Sequence, residues 1–185
     1  MNVYDFDGTI YDGDSTVDFY RFAVRTNPLL IRHLPKQLLG FLKYAMKKID
    51  KTEMKECFFC FLSGIDTDRL VEQFWNTHQN KIYDWYFAQQ EETDIIISAS
   101  PEFLLQPICN KLGVRYLIAS KVDNSNGKFL RKNCRGKEKV LRLYEELGIN
   151  HVDQFYSDSM SDLPMAEIAD KTFMIKNGVI TAWNI

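Results

Sequence analysis

The stretch Val3-Tyr4-Asp5-Phe6-Asp7-Gly8-Thr9-Ile10 constrains this chain more than any other. A short apolar strand runs directly into two carboxylates and a glycine. Side chains alternate along a strand, so residues i and i+2 share a side. Asp5 and Asp7 therefore converge at one mouth, provided the strand end bends there. Two acids held that close demand a cation or a shared proton. Gly8 frees the backbone to turn away and to approach a ligand. Alone, Asp-x-Asp-Gly is also the vocabulary of turns and calcium loops. Its weight comes from the residues of the later strands.

Past Ile10 the chain falls into two characters. Between Gly13 and Gln90 the pattern is helical. Asp12-Gly13-Asp14-Ser15-Thr16 reads as a turn capping a helix with Phe19, Phe22 and Ala23, ended by Asn27-Pro28. From Leu38 to Ile49, apolar residues share one arc with Lys36, Lys43 and Lys47 opposite, the pattern of an amphipathic helix. One further helix is expected through Met54, Cys57, Phe58 and Phe61, and another from Asp66 towards Trp85. The aromatic residues of this segment are expected to form its own core.

From Asp94 onward strands and helices alternate. Ile95-Ile96-Ile97-Ser98 is an apolar run suited to a strand covered on both faces. Ser100-Pro101-Glu102 reads as a helix start with Ser100 as N-cap. Strands are expected at Tyr116–Ala119, Gln154–Ser157 and Thr172–Ile175, with helices after Gly136 and around Met165. This alternation implies an α/β fold with a doubly wound parallel sheet. Such sheets bind ligands at the carboxyl ends of their strands, where Asp5, Ser98 and Asp158 all fall. Asp162, four residues past Asp158, reaches the same rim if a turn of helix intervenes. A rim of carboxylates without His or Cys suits Mg²⁺, which takes oxygen ligands and bridges to phosphate.

Composition excludes several classes. The net charge of −2 and the absence of a basic tail argue against a nucleic-acid binder. Acids at positions 5 and 7 predict no signal peptide, and no apolar run approaches the ~20 residues of a membrane span. Cys57 and Cys60 spell C-x-x-C without a second pair, so they read as core thiols of a cytoplasmic protein. The charge is uneven: from Arg21 to Lys55 there are nine Lys or Arg against Asp50 and Glu53.

Asp5-Phe6-Asp7-Gly8-Thr9, Ser98 after an apolar strand, a lysine opening a helix, and Asp158 with Asp162 together resemble the four ordered motifs of the haloacid dehalogenase superfamily. The inserted helices resemble the small C1 cap of its phosphoserine-phosphatase-like (subclass I) members. The resemblance implies a Rossmannoid core over 1–12 and 91–185 and a helical cap over 13–90. It implies a Mg²⁺-dependent phosphatase with Asp5 as nucleophile and Asp7 as general acid and base. Ser98, the backbone of Ala99, Gly8 and a lysine would bind the phosphoryl group. Asp5, the Asp7 carbonyl and Asp158 would hold the metal, with Asp162 orienting a metal water or the lysine. Gly136-Lys137-Glu138-Lys139 offers two lysines; Lys139, next to the apolar face of its helix, is preferred over Lys137.

The expected substrate is a small phosphorylated metabolite of phosphoserine type. The rival reading is a lipid phosphate handled at a membrane surface, prompted by the basic amphipathic stretch from Leu29 to Lys48. A helix packed on its neighbours with lysines in water explains that stretch equally and is preferred. A non-enzymatic phospho-accepting or binding module is the remaining alternative. The pattern is silent on oligomeric state.

Overall fold

The computed structural model describes residues 1–185. Six strands form one sheet: β1 (Asn2–Tyr4), β2 (Ile95–Pro101), β3 (Tyr116–Ser120), β4 (Val152–Ser157), β5 (Ala169–Lys176) and β6 (Val179–Ala182). Their order is β3-β2-β1-β4-β5-β6, parallel except for β6, which pairs antiparallel with β5. β1 sits at the centre, between β2 and β4. The chain order therefore reverses beside Asp5, the place where such sheets open a ligand crevice.

Eight α-helices surround the sheet: α1 (Ser15–Thr26), α2 (Leu34–Ala45), α3 (Lys51–Phe58), α4 (Thr67–His78), α5 (Asp84–Gln89), α6 (Glu102–Lys111), α7 (Lys137–Leu147) and α8 (Leu163–Ala166). Local chemistry explains the best-defined ends. Asp14 caps α1 by accepting from the Val17 N–H, and Asp50 with Glu53 forms a reciprocal capping box on α3. Alternation along the strands divides the core. Val3, Ile95, Ile97 and Phe155 face Leu143 and Met165 on one side. Tyr4, Phe6, Ile96 and Tyr156 face the other, against Phe19, Phe74, Trp75, Tyr86 and Leu104.

That second cluster changes how the inserted segment is understood. Its aromatic residues do not make a core of their own. Trp75 packs edge-on to Phe6 at 6.0 Å and donates to the Leu104 carbonyl at 2.6 Å. Tyr86 meets Tyr4 at 5.2 Å. Residues 82–83 are tied to the loop after β1 by a bridge from Ile82 to Tyr11 and by Tyr83 N–H on the Ile10 carbonyl. α1, α4 and α5 thus belong to the layer that covers the sheet. The stretch from Pro28 to Leu62 contributes α2, α3 and two 3₁₀ turns.

Other expectations shift by local geometry. β2 continues through Pro101, so α6 starts at Glu102 with Pro101, not Ser100, as its N-cap. The register against β3 slips between Ile97 and Pro101, a bulge that takes Ser98, Ala99 and Ser100 out of the regular ladder. The helix expected to reach Ile49 stops at Ala45, with Lys47 at φ 56° in the turn beyond it. The pattern from Asp66 to Trp85 is two helices, α4 and α5, separated at Ile82.

Arg142 on α7 has no solvent exposure. Its guanidinium donates to the Ala119 carbonyl at 2.8 Å and to the Lys132 carbonyl, and its Nε pairs with Glu138. It pins α7 to β3 and to the loop before Gly136. Arg142→Leu strands the buried Ala119 carbonyl and frees the Lys132 carbonyl, and is expected to cost about 2 kcal/mol, read as a lower midpoint in urea unfolding.

Candidate active site

The carboxyl ends of β1, β2 and β4 and the start of α7 line a cleft of about 780 Å³. Asp5, Asp7, Ser98, Ala99, Lys139, Asp158 and Asp162 all border it. At its floor, the Lys139 ammonium is 1% exposed and lies 2.9 Å from Asp5 Oδ1 and 2.6 Å from Asp162 Oδ2. Asp162 also accepts from the Ser157 hydroxyl at 2.9 Å. Burial alone would push the Lys139 ammonium down, but Asp5 and Asp162 outweigh it and hold it above the ordinary lysine range. Lys137, two residues earlier, is exposed on the opposite side of the same helical turn. Of the two lysines, only Lys139 is in the cluster.

Asp7 is held differently. Its Oδ2 accepts from the Ser100 hydroxyl at 2.5 Å, and its Oδ1 accepts from the Ser15 N–H at the start of α1 at 2.6 Å. Thr16 hydrogen-bonds to Ser100 in turn, at 2.8 Å. Burial, with Asp14 nearby, pushes the Asp7 carboxyl up to about 6, which puts it where a group can both give and take a proton near neutrality. Asp5 is also raised by burial, with Lys139 opposing.

Gly8, expected at the phosphate, has another task. Its N–H donates within its own loop to the Tyr11 and Gly13 carbonyls, at 3.0 and 2.9 Å. It sits at φ +69°, and a Cβ there would come within 2.2 Å of Asp158 Oδ2. Glycine is needed so that the two acidic loops can meet. Asp162, expected at the metal, orienting a metal water or the lysine, spends one oxygen, Oδ2, on both Lys139 and Ser157.

Three residues around the cleft carry no clear mark in the sequence. Ser100 passes for a helix cap because Ser-Pro-Glu spells one, but the bulge in β2 turns its hydroxyl onto Asp7. Lys55, in the middle of α3, reaches across to donate to the Ala99 carbonyl at 2.7 Å and to Asn133 Oδ1 at 2.8 Å. Asn133 also accepts from the Ser120 hydroxyl. An ammonium has three donors, and the core uses two of those of Lys55. Burial pushes this lysine down to about 8, against the attraction of Asp14 and Asp7. The alternating sequence carries no signal for Lys55 or Asn133, because each is placed by a contact between distant segments. Phe41, Met54 and Phe58 complete the wall on that side.

The donor set allows a direct test of whether a divalent cation fits. Asp5 and Asp162 are paired with Lys139, while Asp158 borders the cleft without an ion pair. All the available donors are oxygens, as Mg²⁺ prefers. No three acidic side chains converge into a closed cage, because Asp7 turns its carboxylate to Ser100 and Ser15. A cation that keeps water and accepts a backbone carbonyl suits such a set; the residues fit Mg²⁺.

A family model described as haloacid dehalogenase-like hydrolase matches residues 3–167. Over 83 residues the chain is 36% identical to Protein CicA of Caulobacter vibrioides (strain NA1000 / CB15N), a stretch spanning 42% of this chain and 37% of that protein. A protein with unknown function from Bordetella pertussis Tohama I is similar in structure, with TM-score 0.73 and 20% identity over 93% of this chain and 87% of that one. A phosphoserine phosphohydrolase-like protein from Francisella tularensis subsp. tularensis SCHU S4 gives TM-score 0.56 and 16% identity, over 92% of this chain and 84% of that one. The two structures share the fold. The matched family span encloses both acidic loops and the lysine between them, and the chain belongs to the haloacid dehalogenase-like hydrolases.

Proposed function

We propose that this hydrolase cleaves phosphate monoesters with Mg²⁺, through an aspartyl-phosphate on Asp5. The observation that carries the reading is the division of labour between two carboxylates in one cleft. Asp5 is tied to a buried ammonium, while Asp7 is tied to hydroxyl and amide donors and sits near neutrality. Lys139 occupies Asp5 Oδ1, which leaves Oδ2 to attack phosphorus as the ester P–O bond breaks. Asp7 gives its proton to the departing alkoxide. The carboxylate left on Asp7 then takes a proton from water, whose oxygen displaces Asp5 from phosphorus and releases inorganic phosphate. Ser98 and the bulged backbone of Ala99 would hold phosphoryl oxygens. Mg²⁺, held by Asp5, Asp158 and the Asp7 carbonyl, would neutralise charge on the transferring group.

The stretch from Pro28 to Leu62 would act as the cap that selects the leaving group. Lys55 keeps one donor for it, so a small phosphorylated metabolite with a second acidic group, as in phosphoserine, is the substrate class this side favours. One observation favours a second reading. Phe41, Met54 and Phe58 make part of the same wall apolar, as a phosphate borne on a lipid would require.

Asp5→Asn is expected to lower Mg²⁺-dependent turnover of p-nitrophenyl phosphate by about 10³-fold or more, since the nucleophile is gone. Turnover untouched by that change would sink the mechanism. Lys139→Ala should cost on the order of 10²-fold in kcat, whereas Lys137→Ala should leave kcat within about twofold, as expected of an exposed charge. Lys55 is charged below about pH 8 and neutral above it. For an ester with a second acid, KM should therefore rise as pH passes through that value. Lys55→Met should raise KM at pH 7 by about tenfold, the worth of one lost charge-assisted hydrogen bond, and erase the pH step.

A further inference from the structure

α2 is built inside out relative to its sequence. Its only buried residues are Gln37 and Gly40. Gln37 is sandwiched by polar contacts, accepting from the Tyr20 hydroxyl at 2.7 Å and donating to the Phe58 carbonyl at 2.9 Å. Gly40 lets α2 press against α3: a Cβ there would come 2.4 Å from the Cys57 Cβ. At about 100° per residue, Leu38, Leu42, Met46 and Leu39 fall opposite this contact. They are 58, 57, 53 and 50% exposed. Leu29 and Ile31, in the 3₁₀ turn just before α2, are 74 and 55% exposed. The apolar arc that suggested packing on neighbouring helices faces solvent instead.

Around this face the charge along the chain is of one sign up to Ile49; Asp50 and Glu53 follow at the start of α3, beside Lys47 and Lys48. From Phe19 to Ile49 the chain carries Arg21, Arg25, Arg32, Lys36, Lys43, Lys47 and Lys48 and not one acid, in a protein whose net charge is −2. Arg21 pairs with Asp18; the others make no ion pair. The face also runs into the cleft. Phe41 is 45% exposed beside Leu38 and Leu42, lines the cleft wall, and meets Phe58 edge-on at 6.3 Å.

We propose that α2 and the turn before it dock on an anionic lipid surface. Leucines and methionine would enter the boundary between headgroups and acyl chains, and the lysines and arginines would meet lipid phosphates. No helix here is long and apolar enough to cross a membrane, and α2, about 18 Å long, suits lying in the plane. A second copy of the chain is the poorer occupant, because a two-fold contact through α2 would bring Lys36 and Lys43 against like charges. Docking sets the cleft mouth, through Phe41, at headgroup level. The docking itself is independent of the chemistry; presentation of an interfacial phosphomonoester to Asp5 rests on the proposed phosphatase activity.

Co-sedimentation of the full chain with vesicles of equimolar phosphatidylglycerol and phosphatidylcholine tests the surface without reference to catalysis. The protein should pellet with these vesicles, and at least about tenfold less with phosphatidylcholine alone or in ~0.5 M salt, where surface charge is screened. The double change Leu38→Glu/Leu42→Glu should reduce pelleting by on the order of tenfold or more, since it puts charge in the apolar boundary. These residues are exposed and outside the cleft, so the thermal midpoint and p-nitrophenyl phosphate turnover should not change. Absence of pelleting with anionic vesicles overturns the proposal, as does pelleting indifferent to the double change. A dimer in light scattering that the same change disperses, without vesicle binding, assigns the face to a second copy instead.

Discussion

A buried ammonium between two carboxylates organises this molecule. Lys139 cannot lose its proton easily with Asp5 and Asp162 at 2.9 and 2.6 Å, and removing Lys139 would leave the two carboxylates facing each other with no cation between them. Much of the core can be understood as scaffolding for that contact. β1 delivers Asp5 from the centre of the sheet, Ser157 at the end of β4 steadies Asp162, and Arg142 fastens α7 so that Lys139 enters at the right height. Such an arrangement is costly as a stabilising device. On the reading proposed above its sense is chemical, since it keeps one oxygen of Asp5 occupied and the other available.

The second organising feature is the slipped register in β2. A regular strand would have paired Ser98, Ala99 and Ser100 with β3 and pointed alternate side chains away from the cleft. The bulge turns the segment into a small surface with two uses: Ser100 holds Asp7, and the Ala99 carbonyl receives Lys55 from α3. These few bonds tie α3 to the segment that also holds Asp7.

Much of the architecture is legible in the sequence. Strand–helix alternation after Asp94 implies the parallel sheet, and the strand ends locate Asp5, Ser98, Asp158 and Asp162 at one rim. The short antiparallel β6 is not foreseeable, because Val179–Ala182 is a brief edge strand, largely solvent-facing, with little apolar pattern. The expected start of α6 is misplaced by one residue, because Ser-Pro-Glu carries a capping signal that the tertiary bulge overrides. A division of the chain into a core and a separate helical insertion is also too clean. Trp75 and Tyr86 fill the space over β1, so much of the insertion is core.

The sequence by itself determined the order of the acids along the chain, their seating at strand ends, and the oxygen-only character of the site. These depend on periodicity and local turn chemistry, which act over a few residues. Only the tertiary structure decided that Lys139 and not Lys137 reaches Asp5, that Ser100 and Lys55 belong to the cleft, and that the leucines of α2 face outward. Periodicity tells which residues share a face of a helix; it cannot tell which face another segment will cover. On α2 a glycine and a glutamine won the buried side, because Gly40 permits close approach to Cys57 and Gln37 is satisfied on both ends by Tyr20 and Phe58.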